Sequence, residues 1–366
     1  MRQLDIRFKL VLILIISTLV FWAGSLYLSL SLLGTILFIW FISGLRFRDL
    51  KPIGKIKWFI IAIIFFHSYF SFERDFLLFT FFKWAFMISK EGLQQGFLMG
   101  SNVLVMLLFT ALVRKTSKPE DVLSGLQGLG MSVDQATVLD ATMELVELKQ
   151  IRKKDKGRQG PKKGAGKEKR KLWGIIKGKV DFLVDMVNTQ MDEAKAKFKS
   201  SHLTIMVTFT GIISVIRFIK VAPGLPVAPG HKNVLILPLF INAAKLSGQR
   251  FTATNMGFLS GLVNFLAGFG KYGPLGPLQF MAPGLVIDLL RPIFKKSNSI
   301  IVFGLVGLLA GASRVAAEIC LAYLVGMPQE FYLVYLPFVI SQCSFGLLSA
   351  PVTKYLSNNL NNAKNN

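Results

Sequence analysis

Residues 8–44 run almost without interruption through Leu, Ile, Phe and Val, and no other feature limits the chain so tightly. A hydrocarbon core about 30 Å thick takes roughly 20 helical residues, so the run suits two short spans, divided by a turn near Trp22–Ser25. It is too long for a signal-peptide core and lacks a small-residue cleavage site, so it is expected to be retained. Further candidates lie at 57–72, 97–113, 203–219, 233–248, 255–270, 277–291, 299–325 and 331–353, which makes ten spans in all. Composition agrees. The chain is 52% hydrophobic with a mean hydropathy of +0.51, and only 17% of its residues are charged. A soluble domain carries about 25% charged residues. The same hydrophobicity excludes intrinsic disorder.

Against this apolar background stand 43 Lys+Arg and 20 Asp+Glu, a net charge of +23. Membrane proteins concentrate basic residues in cytoplasmic loops. With Arg2, Arg7 and Lys9 inside, the loop of Arg46, Arg48, Lys51, Lys55 and Lys57 is also inside. The same side takes Arg114 to His202, Arg250, and the Arg291, Lys295, Lys296 cluster. The external loops at 221–232, 271–276 and 326–330 then carry just Lys232 and Lys271. Both termini are expected in the cytoplasm, and the membrane is expected to be the bacterial or archaeal inner membrane. Residues 76–88 are apolar and aromatic but short. A further span would break the charge alternation, so they are expected to form an external interfacial or re-entrant piece.

The chain divides into a four-span part (1–113), a charged cytoplasmic middle (114–202) and a six-span part (203–356), followed by an Asn-rich tail (357–366) expected to be disordered. The fold class is all-α, in two bundles of four and six spans. Within the middle, Ser117 is a candidate helix cap before Pro119, Glu120 and Asp121. Gly128 and Gly130 break that helix before a second begins near Ser132. Residues 149–171 hold twelve Lys/Arg against Asp155 and Glu168, with Gly and Pro interleaved, and read as a flexible linker. Residues 173–200 carry a helical stripe of Ile176, Val180, Leu183, Val184, Val187, Met191, Ala194 and Phe198. The mixed-sign opposite face favours a protein partner over an anionic lipid surface. No aromatic residue interleaves the basic linker before Trp173, so nucleic acid is not an expected partner. Lipid attraction explains the charge there at about 1 kcal/mol per cation.

Three segments carry a family resemblance. Asp5-Ile6-Arg7-Phe8-Lys9-Leu10 precedes the first span. Ser89-Lys90-Glu91-Gly92-Leu93-Gln94-Gln95-Gly96 leads into the fourth. Thr116-Ser117-Lys118-Pro119-Glu120-Asp121, with Gly125-Leu126, opens the first cytoplasmic helix. In that order they resemble the transmembrane T component of energy-coupling factor (ECF) ABC transporters over roughly residues 1–156. The resemblance implies that the cytoplasmic helices rest on a pair of ABC ATPase subunits through an Ala-Arg-Gly motif. No Ala-Arg-Gly occurs in this sequence. Arg152 and Arg158 stand where the first arginine belongs, and Lys195, Lys197 and Lys199 close the second helix, so Arg152, Arg158, Lys195 and Lys199 are the candidate coupling residues.

Residues 203–366 look like the six-span S component, the substrate-binding partner, fused behind the T-like part. The Pro/Gly-rich loop 221–232 resembles the loop that closes over ligand in that family. Thr204, Thr208, Thr210, Gly211 and Ser214 offer a small-residue face, either for the T-like part or for ordinary bundle packing. Ionisable residues inside a membrane are expensive and mark function by default. Arg314 and Glu318, four residues apart, either pair with one another or bind ligand. Asp288 beside Arg291, near the cytoplasmic end of its span, reads as structural or interfacial. Asn264 and Gln342 are polar candidates within apolar helices, Lys271, Tyr272 and Gln279 flank a second Gly/Pro-rich loop, and His231 belongs to the first.

Cys320 and Cys343 sit in apolar segments and the three histidines are far apart, so neither a disulfide framework nor a metal site is implied, and no cofactor is expected. The chain has no G-x-x-x-x-G-K-[ST] loop, so any ATP hydrolysis belongs to partner subunits and the chain itself is not read as an enzyme. The expectation is uptake of a small nutrient, a vitamin or precursor. An ATPase-independent secondary transporter or channel is the alternative, with a membrane-embedded enzyme or anchor behind it.

Overall fold

The first apolar run folds as two helices, α1 (Ile6–Trp22) and α2 (Leu26–Ile42). Gly24 between them has φ of 55°, a conformation that ends a helix without steric penalty. Ser25 then caps α2 from an extended backbone, its hydroxyl accepting from the Leu28 N–H. The computed structural model describes residues 5–22, 24–45, 57–70, 76–81, 84–158, 172–198, 200–218, 230–267, 275–324 and 332–365.

Helix α3 (Lys57–Phe70) is followed by strands β1 (Phe76–Phe81) and β2 (Trp84–Ile88) and by the long helix α4 (Lys90–Thr116). The strands pair antiparallel, Phe76 opposite Ile88 and Phe81 opposite Trp84, with an irregularity between Leu77 and Phe79. Residues 76–81 and 84–88 therefore pair as strands, which departs from the all-α expectation. β-branched and aromatic residues in short runs favour this state. Then come α5 (Pro119–Gly128), α6 (Val133–Arg158), α7 (Leu172–Lys197), α8 (Ser201–Phe218), α9 (Asn233–Leu246), α10 (Thr252–Leu266), α11 (Gly276–Lys295), α12 (Ile300–Leu324), α13 (Tyr332–Leu347) and α14 (Ala350–Asn365). Among the described residues, three helices are long and apolar enough to cross a membrane: Lys90–Thr116, Ile300–Tyr323 and Leu336–Leu360, the last taking in most of α13 and part of α14. The architecture is helical and compatible with a membrane protein.

The chain forms two compact units. The first comprises residues 1–131 with 265–276 and 319–334, and the second comprises 132–264, 277–318 and 335–366. In the first unit α4 is the central element, packed by α1, α2 and α3. Trp40, Ile36, Met106 and Leu112 are fully buried there, and the Ser29 and Ser101 hydroxyls bond at 2.8 Å inside that core. Gly96 lets α3 and α4 approach, since a Cβ at this position would sit 2.8 Å from the Ile64 Cα. In the second unit α8 packs on α6, α7 and α9, and α9 packs on α14. The small face of α8 is spent within this unit: Thr204, Thr208, Thr210, Gly211 and Ser214 are all buried, and Leu145 of α6 fills the space over Gly211. The apolar stripe of α7 is also buried, at Val180, Leu183, Val187 and Ala194.

Three expectations are corrected. Ser117 does not cap α5; Lys118 holds that position with Pro119 in the first turn, and the Lys118 N–H donates to Asp121. The basic segment begins as helix, because α6 continues to Arg158 and Lys and Arg are good helix formers; 159–171 lie outside the described residues. The Asn-rich tail is helical to Asn365, since Val352, Thr353, Leu356 and Leu360 form a buried stripe beneath its asparagines.

Candidate functional site

In the first unit, two of the three motif segments meet. Lys9, almost wholly buried on α1, donates from Nζ to the Thr116 carbonyl at 3.3 Å and to the Ser117 hydroxyl at 3.1 Å. A lysine at a helix C-terminus satisfies carbonyls that the helix leaves open and opposes its dipole. One turn earlier, Ile6 packs over Gly125 and the Arg7 guanidinium over Gly128, where any Cβ would collide. Asp5 accepts from the Arg7 N–H at 2.8 Å. Ser89, in the remaining segment, caps α4 by accepting from the Gly92 N–H at 3.1 Å, and its own N–H donates to the Ser68 carbonyl.

In the second unit, polar side chains from four helices, α8, α9, α12 and α13, converge around Phe280 of α11. Arg217, at the end of α8, lies 3.6 Å over the Phe280 ring and donates to the Ser260 carbonyl of α10 at 2.9 Å. Arg314 of α12 faces the same ring at 5.2 Å. It donates to Asn233 Oδ1 at 2.9 Å, and its Nε lies 3.5 Å from Glu318 Oε1. Asn233 passes the contact on, donating to Gln342 Oε1 of α13. Lys232, just before α9, donates to the Arg217 carbonyl. Burial holds the Lys232 ammonium below the usual lysine range, and Arg217 and Arg314 push it further in the same direction. Gly230 makes the approach possible: its φ is 88°, and a Cβ there would lie 2.6 Å from Gln342 Oε1.

Among the described residues, the cluster is short of negative charge. From Ala194 to the C-terminus the sequence holds three acids, Asp288, Glu318 and Glu330. Asp288 is consumed elsewhere. It accepts from the Ala253 and Thr254 N–H groups at 3.2 and 2.7 Å and from the Thr254 hydroxyl at 2.7 Å, capping α10. Arg291 nearby donates to the Gln249 and Ser247 carbonyls. Glu330 lies outside the described residues. That leaves Glu318 among the described acids to face three cations. The Nε atoms of Arg217 and Arg314 are buried without a hydrogen-bond partner.

Of the sequence-predicted substrate residues, Arg314, Glu318 and Gln342 come together here. Gln279 is buried next to Phe280 on α11. His231 is half-buried in the turn before α9, beside Lys232, and Asn264 is half-buried one helical turn beyond Ser260. Lys271 and Tyr272 lie outside the described residues. Sequence reading passed over Arg217, Asn233 and Phe280. A cation inside the apolar run 203–219 was the available signal for Arg217, by the same rule that singled out Arg314. For the coupling candidates, Arg152 and Arg158 are on α6 but their side chains lie outside the description, as does Lys199. Lys195 is exposed on α7, 3.4 Å from Asp192, beside an open cleft of about 700 Å³ bounded by α7, α8, α9 and α14.

His202 at the start of α8 pairs with the Ser247 hydroxyl at 3.0 Å. Burial pushes its imidazole below the usual histidine value, opposed by Asp134. No family model, no curated protein and no solved structure matches this chain.

Proposed function

We propose that the chain is the membrane permease of an ECF-type ABC importer, a T-like scaffold fused to an S-like substrate-binding part, taking up a vitamin or related small nutrient. The observation that carries this reading is the meeting of two separate motif segments, residues 5–10 and 116–128, through Lys9, Ile6 and Arg7. Sequences at opposite ends of the first unit resemble one family, and here they form one packed joint. In this reading ten spans cross an inner membrane with both termini cytoplasmic. The joint fixes α5 to α1 and to the end of α4, so a push on α5 is transmitted to these helices rather than absorbed. Separate ATPase subunits dock under α6 and α7, where Arg152, Arg158, Lys195 and Lys199 meet them. A cation on the end of a rigid helix suits an acidic groove on such a partner. The convergent side chains around Phe280 supply the substrate site, since pockets of this kind combine apolar walls with a few fixed polar groups.

The reading is tested by extracting small molecules that co-purify with the full-length chain, identifying them by mass spectrometry, and following uptake of the labelled compound in cells. Uptake that stops when cellular ATP or the partner ATPases are depleted is expected. Undiminished uptake without them would favour a secondary transporter.

A further inference from the structure

We propose that Arg217, Lys232 and Arg314 hold an oxyanion, a carboxylate or phosphate, carried by the small molecule that the second unit binds. This inference rests on reading that unit as the substrate-binding part, and it adds the charge class of the substrate.

Two guanidiniums lie against one aromatic ring, and a third cation reaches the backbone of the first. Gathering like charges in an apolar setting is unfavourable unless anions compensate. Glu318 provides one carboxylate, 3.5 Å from Arg314 Nε. The next described acid, Asp288, is committed to the N-terminus of α10. Neutral partners do not make up the deficit. Asn233 is occupied on both sides, donating to Gln342 and accepting from Arg314. Arg217 spends Nη1 on the Ser260 carbonyl while its Nε has no acceptor, and Arg314 Nε likewise makes no hydrogen bond. A guanidinium fork with idle donors matches the planar geometry of a carboxylate or the oxygens of a phosphate. Phe280 packs against both guanidiniums and keeps them near one another.

The chemistry has two sources, a soluble metabolite or an anionic lipid headgroup, and the test separates them. The full-length chain is dialysed in phosphatidylcholine nanodiscs, and thermal unfolding is followed against sodium phosphate and sodium benzoate, with sodium chloride at matched ionic strength as reference. We expect a saturable rise in Tm with at least one of the two anions and none with chloride. R217Q and R314Q should weaken the apparent affinity about tenfold or more. R250Q, at an exposed cation away from the cluster, should not change it. The wild-type titration stands alone if either cluster variant fails to fold. No saturable rise with either anion overturns the proposal, as does full retention of the effect in both cluster variants. If phosphatidylglycerol in the discs stabilises the chain while both soluble anions are inert, the soluble substrate is overturned and the site belongs to a lipid headgroup. The readout needs no ATPase. Anion binding by a chain that recruits no ATPase would leave the site standing and remove the importer, and the opposite pair of results would do the reverse.

Discussion

Asp288 and Arg217 sit in the same unit, and both place charge within an apolar bundle, yet they are treated in opposite ways. The Asp288 carboxylate takes two backbone N–H groups and a hydroxyl at the start of α10. Arg217 lies over Phe280, donates to the Ser260 carbonyl, and shares its neighbourhood with two more cations. Lys9 in the other unit resembles Asp288, with its ammonium on two oxygens at the end of α4. A charge whose partners are all present closes a helix end. Arg217 has fewer partners among the described residues, and the proposed oxyanion would add one.

The comparison makes quantitative demands. Replacing Asp288 by Ala strips the cap from α10 and should lower stability by about 2 kcal/mol, read as a drop in Tm of the full-length chain, with Asp288→Asn losing less. Adding a methyl at Gly96 pushes into the α3 backbone and should cost about 1–3 kcal/mol. Gly34→Ala is the matched control, because nothing lies within 4 Å of its added Cβ and the change should be neutral or stabilising by up to about 1 kcal/mol. Arg217→Met is expected to behave unlike Asp288→Ala: without ligand it relieves repulsion, so the Tm should hold or rise slightly. A large loss there would place Arg217 among the structural charges and erase the contrast.

A smaller effect concerns His202. Its folded-state value lies below the ordinary one, so the unfolded chain takes up a proton first as pH falls. The stability contributed by neutral His202 is fully present above about pH 6.5 and diminishes as pH drops below it. Unfolding measured between neutral and mildly acidic pH should show this slope, and His202→Gln should flatten it. An unchanged slope would mean that other groups carry it.

Local rules made part of this legible in the sequence. The break at residues 22–25, the stop at Gly128 and the start after Ser132 follow from Gly, Ser and the end of apolar periodicity, and the stripe on α7 is buried where its spacing placed it. Other features were hidden for physical reasons. Residues 76–81 and 84–88 form strands, but short apolar runs do not distinguish strand from helix by periodicity. The asparagines of the tail masked a stripe of Val352, Leu356 and Leu360 that becomes visible when α14 packs on α9. In the site, Arg314 and Glu318 announced themselves by a four-residue spacing. Asn233 and Gln342 are 109 residues apart, and their hydrogen bond is set by tertiary packing that no local pattern encodes.

The account turns on whether this chain works beneath a motor. Affinity purification of the tagged full-length protein from its own membranes, followed by identification of the co-eluting polypeptides, tests that most directly. The account predicts a pair of ABC ATPase subunits in fixed ratio to the chain, with MgATP hydrolysis in the purified complex. A chain that elutes without any ATPase, in detergents that preserve its fold, would contradict it.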